Sequence, residues 1–296
     1  MASDLQTEKG EEREPKKASS QILSQEMREG QVAIRRPVIG LFLSGISAGL
    51  DIGFSLFLIA VARTQVEGVL PKPVVELLVA NIASIGFIFV VVGRSDLFTE
   101  QTTLAVLPVL NGKATIGELA RTWAVVYAAN LTGTAIFAGL AVLIGPSLQV
   151  IDRRVFGEIA LSLTRHPGHV ILLSGLLAGW LMGLLSWLVA ASRDTISQIV
   201  LTWLIASVIA YAHLHHVVVG SAEVLAGVFA GTTVTYGDFL HFLFWTTIGN
   251  ALGGPIFVAV IKNSHAIGGM PAPEGERESE RDEQPGGPAI ATRRTS

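Results

Sequence analysis

Ionisable side chains interrupt long apolar stretches of this chain, and they are the residues whose chemistry could matter most. An ionisable group inside an apolar membrane segment is costly unless it is paired or hydrated, so each one is a functional candidate. Arg94 and Asp96 are close enough in sequence to pair with each other or to cap a following helix, whereas Asp51 could face a neighbouring helix or a pore. The candidates are Asp51, Arg94, Asp96, Glu100, His213, His215, His216 and Glu223.

The segment His213-Leu214-His215-His216 admits two kinds of chemistry. Histidine clusters bind metals, but a membrane metalloenzyme needs further clusters from other helices. Near a span start the sequence offers only Asp152, His166 and His169. A single neutral imidazole in a water-poor pore suits proton exchange, because its ordinary pKa of ~6.5 lies near neutrality. We therefore expect no metal site and no cofactor.

The elements that must position these residues are membrane helices. Half of the 296 residues are hydrophobic and 15% are charged, and the charges concentrate at the two ends. Long uncharged apolar runs are typical of membrane spans, not of soluble cores. The net charge of −3 excludes a nucleic-acid partner, and the absence of cysteine excludes disulfides. We predict disordered polar tails over 1–37 and 263–296, with a short helix possible around Ser20–Gly30, and a membrane domain over 38–262.

Six apolar runs reach the ~17–25 residues that a membrane-spanning helix requires, so the predicted fold is all-α and polytopic. The second and fifth runs end in polar, glycine-containing segments and then resume, which is typical of the broken helices of transporters. The runs are Val38–Ala62, Val74–Val92, Thr122–Ile144, Val170–Ala191, Ile196–Ala212 and Phe239–Ile261.

The two halves of this domain repeat each other. The first run contains Gly45, Gly49 and Gly53, and the fourth repeats this spacing with Gly175, Gly179 and Gly183. The third contains Asn130-Leu131-Thr132-Gly133, and the sixth contains Asn250-Ala251-Leu252-Gly253. Three spans per half would give the halves opposite directions, so we predict two inverted three-helix repeats. The glycine faces allow close helix packing within a protomer or between protomers.

These motifs resemble those of the formate/nitrite transporter family. Asp96-Leu97-Phe98-Thr99, within Gly93–Pro108, is similar to the Glu-Leu-Phe-Thr loop that breaks the family's second helix. The similarity continues through Asn130–Gly133, Gly175–Trp187 and Gly249–Gly254, and covers roughly 36–262. The resemblance implies an aquaporin-like fold and a homopentamer in which each protomer has its own pore. It also implies transport of small monovalent anions such as formate, nitrite or hydrosulfide, without enzymatic activity.

Residue by residue, the resemblance is partial. The family breaks its fifth helix at Phe-Glu-His-Ser-Val-Ala-Asn, and a gapless register places that central pore histidine on His216. A rival register places Val224 there, and we prefer His216. Thr99 matches the family, whereas Asp96 and His215 each replace a glutamate, Gly220 replaces the asparagine and Glu100 adds an acid. Arg165 is the nearest cation to a family lysine in the vestibule. These departures resemble a divergent, YfdC-like branch.

The leading hypothesis is passage of a small weak-acid anion. A bare anion pays a large desolvation penalty in an apolar constriction, and a neutral acid does not. Helix ends near Thr99 and Val224 would attract the anion, and His216 would supply or polarise a proton. Leu97 and Phe98 are gate candidates, although Phe98 could equally be packing. The resulting pore set is His216, Thr99, Asp96, Leu97, Phe98, Glu100, Glu223, Asn130 and Asn250, with Arg165 in an anion vestibule.

Three alternatives remain. Asp96, Glu100 and Glu223 could line a pore selective for cations or neutral solutes. His213, His215 and His216 could belong to a membrane metalloenzyme, or the protein could be a non-conducting scaffold. Six spans place both tails on one side, and the resemblance together with the lack of a cleavable signal pattern predicts cytoplasmic termini in the inner (plasma) membrane.

Overall fold

A computed structural model of the chain describes residues 16–257. All regular structure within this range is helical, as the sequence predicts. The helices are α1 (Ser19–Arg35), α2 (Val38–Val66), α3 (Lys72–Gly93), α4 (Phe98–Leu104), α5 (Val106–Leu110), α6 (Ile116–Ser147), α7 (Arg153–Thr164), α8 (Gly168–Ala191), α9 (Thr195–Tyr211), α10 (Val217–Phe229) and α11 (Tyr236–Pro255).

Four helices, α2, α3, α6 and α8, are long and apolar enough to cross a membrane, and they contain the first four predicted runs. The fifth run forms α9, which has 17 residues. The sixth forms α11, which has 20 residues, while the predicted end of that run at Ile261 lies outside the described residues. Six crossings and the inversion of the two halves therefore stay predictions.

Gly49 of α2 and Gly179 of α8 lie in close contacts between two helix backbones. A Cβ atom added to Gly49 would lie only 2.4 Å from the carbonyl oxygen of Asn130 on α6. A Cβ atom added to Gly179 would lie 2.5 Å from the carbonyl oxygen of Asn250 on α11. These separations are shorter than any van der Waals contact, so glycine allows each pair of helices to meet backbone to backbone. The predicted glycine faces thus serve packing within the protomer at these positions.

Both α6 and α11 begin with the same capping arrangement. The hydroxyl of Thr115 accepts a hydrogen bond from the Glu118 N–H at 3.2 Å, and the Glu118 carboxylate accepts one from the Thr115 N–H at 2.8 Å. Thr235 and Asp238 make the equivalent bonds at 3.2 and 2.8 Å. Because this capping box satisfies N–H groups at the helix start, it fixes where the third long helix of each half begins.

Two amphipathic helices, α1 and α7, precede α2 and α8. Ile22, Leu23 and Met27 of α1 pack against Leu107 and Trp187. The disorder predicted over 1–37 is therefore wrong for Ser19–Arg35, whereas the short helix considered around Ser20–Gly30 is present, longer than expected and with a buried apolar face. The disorder predicted for 263–296 lies outside the described residues.

The buried face of α1 also contains a carboxyl group. Glu26 is fully buried, and its Oε1 atom accepts a hydrogen bond from the Ser186 hydroxyl at 2.8 Å. Its Oε2 atom has no hydrogen-bond partner within residues 16–257. Burial raises the pKa of the Glu26 carboxyl to about 8, and the hydrogen bond from Ser186 opposes that rise. Packing of α1 therefore favours the protonated, neutral form of the Glu26 carboxyl.

Candidate functional site

Two interruptions of the helical backbone bring together the residues of the candidate site. The helix α3 ends at Arg94, which has a φ of 57°, and α4 begins at Phe98. His213, with a φ of 52°, follows α9, and α10 begins at Val217. A left-handed residue is uncommon outside glycine, and here it turns the chain out of each helix into a short break. The two breaks are defined below as the first break (94–97) and the second break (213–216).

One buried asparagine holds each break. The Asn130 Oδ1 atom accepts from the Phe98 N–H at 2.7 Å, and its Nδ2 group donates to the carbonyls of Gly45 and Asp96 at 2.8 and 2.9 Å. The sequence analysis placed Asn130 among the pore residues. The structure places its side chain, which has no exposed surface, in hydrogen bonds to the backbone.

Asn250 repeats this arrangement at the second break. Its Oδ1 atom accepts from the Val217 N–H at 2.8 Å, and its Nδ2 group donates to the carbonyls of Gly175 and His215 at 2.8 and 2.9 Å. This side chain is also fully buried. Each asparagine satisfies backbone groups that the interrupted helices leave open, and this permits a break in an apolar environment.

Two serines complete the supports of the breaks, and the sequence analysis missed both. Ser44 accepts a hydrogen bond from the Asp96 N–H at 3.0 Å, and Ser174 accepts one from the His215 N–H at 3.0 Å. Each serine directly precedes the first glycine of the repeated glycine motif. Extending the comparison of the two motifs by one residue would have found them.

His216 and Thr99 meet between the two breaks. The His216 Nε2 atom lies 2.9 Å from the Thr99 Oγ1 atom, and exposure is 1% for the histidine and 0% for the threonine. The His216 Nδ1 atom caps α10 by accepting from the Val219 N–H at 3.4 Å. An Nδ1 atom that accepts leaves Nε2 as the protonated nitrogen of a neutral ring, so His216 donates to the threonine hydroxyl. Phe87 packs edge-on against the imidazole with 5.0 Å between the ring centroids.

The rival position, Val224, lies elsewhere. It is fully buried in a hydrophobic cluster with Ala160, Val234 and Phe242. The expectation of a helix start near Val224 is also wrong, because α10 already begins at Val217. His216 and not Val224 is the residue beside Thr99.

The gate candidates Leu97 and Phe98 are both buried, at 1% and 3% exposure. Leu97 is the N-cap residue of α4 and makes no side-chain capping bond. The ring of Phe98 lies edge-on to Tyr127, with 4.8 Å between centroids, and to Trp123 at 6.1 Å. Phe98 is therefore part of an aromatic cluster.

The acids near the first break have different partners from those considered in the sequence. Asp96 forms an ion pair with Arg36, and its Oδ1 atom accepts from the Gln101 Nε2 group at 2.9 Å. The proposed pair of Asp96 with Arg94 is thus replaced by a longer-range one. Asp51 accepts a hydrogen bond from the Ser95 hydroxyl at 3.1 Å and so braces the same break. Glu100 lies in the first turn of α4 and is partly buried.

The three histidines of the second break contact three different sets of atoms. His215 is 2% exposed; its Nδ1 atom lies 2.8 Å from the Ser174 hydroxyl, and its Nε2 atom lies 3.0 Å from the Leu163 carbonyl. His213 faces Glu76, with 3.8 Å between Nε2 and Oε2. His216 contacts Thr99. Within residues 16–257, no three histidine, aspartate or glutamate side chains converge as metal ligands would, so the metalloenzyme hypothesis lacks a ligand set.

A cavity of about 540 Å³ lies on one side of the central histidine and extends to residues that contact it. Its inner end is lined by Phe87 and Val219, both of which contact His216. The predicted vestibule residue Arg165 and the predicted pore residue Glu223 line this cavity. Its charged and titratable lining consists of Arg63, Glu67, Lys72, Glu76, Glu158, Arg165, His166, His213 and Glu223.

Comparisons with known proteins show what the whole chain resembles. The family described as Formate/nitrite transporter matches residues 20–263. The chain is 33% identical over 245 residues to the inner membrane protein YfdC of Escherichia coli (strain K12), covering 81% of this chain and 75% of that protein. It is 27% identical over 228 residues to the nitrite transporter NirC of Salmonella typhimurium (strain LT2), covering 75% of this chain and 81% of that protein.

Two solved structures share the fold. An FNT family ion channel superposes with a TM-score of 0.72 at 23% sequence identity, over 86% of this chain and 98% of that one. A pentameric formate channel with formate bound superposes with a TM-score of 0.67 at 23% identity, over 78% of this chain and 98% of that one. Together with the apolar helices, these similarities identify a multi-pass, all-helical membrane protein.

Proposed function

Since the chain belongs to the formate/nitrite transporter family, we propose that it conducts a small monovalent weak-acid anion through a pore within each protomer. The observation that carries this proposal is the contact between His216 and Thr99. It lies between two breaks in the helical backbone, next to Phe87 and Val219, which line a cavity of about 540 Å³. Relatives named as a nitrite transporter and a formate channel support the same class of substrate.

The central step in this proposal is protonation of the anion. Leu97 and Phe87 make the surroundings of His216 apolar, so an unpaired anion there would lose hydration without compensation. His216 Nε2–H polarises the Thr99 hydroxyl, and that hydroxyl can in turn donate towards an anion. The proton itself comes from solvent: the anion and one proton combine to the neutral acid, His216 and Thr99 keep their own protons, and the substrate crosses in the neutral form while it is hydrogen-bonded to the Thr99 hydroxyl.

Formate and nitrite flux into proteoliposomes tests this function. We expect the wild-type protein to conduct both anions and His216→Ala to lose most of the flux, because the hydrogen-bond donor that polarises the Thr99 hydroxyl is removed. Val224→Ala is a matched control, since it alters the rival position in the same helix without touching the contact with Thr99. Equal flux in wild type and His216→Ala would remove the central role of His216, and absence of wild-type flux would reject the function itself.

A second candidate function is a pore for cations or neutral solutes. The cavity supports it, because four carboxylates, those of Glu67, Glu76, Glu158 and Glu223, line its wall. Reversal potentials under a salt gradient distinguish the two: anion preference supports the weak-acid proposal, and cation preference supports the alternative.

The assembly and membrane placement belong to the same proposal. We infer a homopentamer in the inner (plasma) membrane with both termini in the cytoplasm, supported by the structural similarity to a pentameric channel. Light scattering in mild detergent should give about five protomer masses, and a monomer or trimer would contradict the pentamer. Protease added to intact cells should leave both termini uncut if they are cytoplasmic.

A further inference from the structure

The wall of the cavity contains an arginine with unused donors. Arg63 lies in the last turn of α2, and its side chain is 17% exposed. Its Nη2 group donates to the Glu76 Oε2 atom at 2.9 Å. Within residues 16–257, Glu76 is the only hydrogen-bond acceptor of this guanidinium, which has five N–H donors. A largely buried guanidinium with open donors is suited to a planar oxyanion, which it can bind through two parallel hydrogen bonds.

Carboxylates compete for the same guanidinium. The Glu67 carboxylate lies 3.9 Å from Arg63 and is 51% exposed, so solvent screens it. Glu76 lies closer and is 18% exposed, and Glu223 lines the same cavity. An incoming anion that takes two parallel hydrogen bonds from Arg63 therefore competes with Glu76 for the guanidinium, and it can displace the Glu76 carboxylate.

Glu76 has a second partner available when it is displaced. The oxygen that accepts from Arg63, Oε2, also lies 3.8 Å from the His213 Nε2 atom. A small rotation of the carboxylate towards His213 would replace the lost bond with one from an imidazole N–H. The cluster can thus exchange one anionic partner of Arg63 for another without leaving Glu76 unpaired.

We propose that Arg63 is an anion-docking subsite of the cavity and that Glu76 keeps docking there weak enough for release towards His216. The inference rests on the proposed function and extends it to a specificity-determining pair outside the central site. Conduction requires a site that binds well enough to admit an ion and weakly enough to let it leave. An arginine without a competitor would retain a carboxylate or nitrite, whereas an arginine shared with Glu76 releases it.

The concentration dependence of formate flux in proteoliposomes tests this pair. Glu76→Gln should lower the half-saturating formate concentration about three- to tenfold, as expected for the net contribution of one ordinary hydrogen bond, and should also lower the maximal flux. Arg63→Gln should raise the half-saturating concentration by a similar factor. Adding Glu76→Gln to Arg63→Gln should not change the half-saturating concentration further, because Glu76 acts through Arg63.

Matched variants separate this role from structural damage. Arg154 forms an ion pair with Asp152, with 3.0 Å between Nε and Oδ2, and neither residue lines the cavity. Arg154→Gln breaks this pair and should leave the flux unchanged. Arg63→Lys keeps the charge but loses the planar guanidinium, so its half-saturating concentration should lie between those of wild type and Arg63→Gln. If Arg63→Gln does not fold, Arg63→Lys takes its place in the comparison. An unchanged half-saturating concentration in folded Arg63 variants would overturn the proposal. So would an effect of Glu76→Gln that persists without Arg63.

A binding measurement separates failure of this subsite from failure of the proposed function. In detergent, ¹³C-formate should show broader NMR lines with wild-type protein than with the Arg63 variants. If the wild-type protein conducts neither formate nor nitrite, the proposed function is rejected. Line broadening that still depends on Arg63 would in that case support the docking subsite by itself. Equal broadening with wild type and the Arg63 variants overturns the subsite whatever the flux shows.

Discussion

The first and second breaks have the same supports but different side chains at their centres. Each follows a left-handed residue and is held by one asparagine and one serine. Asp96 and His215 occupy equivalent positions in the two breaks. The next residue is Leu97 in the first break and His216 in the second. The duplicated part is thus the backbone scaffold, whereas an imidazole at the central position is present on one side only.

The surroundings of the breaks differ in the same way. Beside the first break, Asp96 is bound by Arg36 from the segment after α1. Beside the second, His215 is bound by the Leu163 carbonyl at the end of α7. The amphipathic helices α1 and α7 precede equivalent long helices and each supports one break. The repeat in the sequence analysis began at α2 and α8, and the structure extends it to these two helices.

Replacing either asparagine is expected to have the largest effect. Asn130→Ala and Asn250→Ala each leave one N–H and one carbonyl group at a break without a side-chain partner, and each buried orphan costs about 1–3 kcal/mol. Both variants should fail to give a monodisperse protein or should unfold far below wild type in a thermal melt in detergent. If one variant melts like wild type, the two breaks are not equivalent.

Glycine substitutions at the paired helix contacts should have the next largest effect. Gly49→Ala and Gly179→Ala place a methyl group within 2.4 and 2.5 Å of a carbonyl oxygen, and such overpacking costs about 1–3 kcal/mol. Gly139→Ala is the control, since its Cβ would have no neighbour within 4 Å. Thermal melts should rank both contact variants below this control. A difference between Gly49→Ala and Gly179→Ala would measure how unequally the two halves are packed.

Substitution of His216 should separate chemistry from scaffold. His216→Ala removes the N-cap of α10 and should cost about 1 kcal/mol of stability, whereas His216→Asn retains a favourable capping acceptor. We expect His216→Asn to melt near wild type and still to lose most of its weak-acid flux. If its flux matches that of wild type, hydrogen bonding at this position suffices and proton exchange is not required.

The smallest predicted effect concerns α1, which is linked to the first break. Because the folded-state pKa of Glu26 is raised to about 8 from 4.5, docking of α1 should be strongest below pH 4.5 and should weaken as the pH rises towards 8. Glu26→Gln should remove this dependence. Hydrogen exchange of Ser19–Arg35 in wild type and Glu26→Gln measures it, and equal pH dependence in both would assign it to other groups.

Much of this fold could be predicted from the sequence because the responsible signals are local. Apolar runs locate α2, α3, α6 and α8, since the bilayer thickness sets the length that each span requires. The repeated Gly and Asn motifs predicted the duplicated scaffold, and a gapless register brought His216 to the position beside Thr99. The amphipathic face of α1 was also present, but a high charge content obscured it.

Only the tertiary structure decided which side chains meet. Asn130 and Asn250 bind backbone groups of the two breaks, and the partner of Asp96 is Arg36 and not Arg94. The Arg63–Glu76 pair joins the end of α2 to the start of α3 across an intervening turn. Such contacts depend on the relative placement of whole helices. A pattern along one chain specifies the period and face of each helix, whereas its neighbours and their rotation about one another follow from packing.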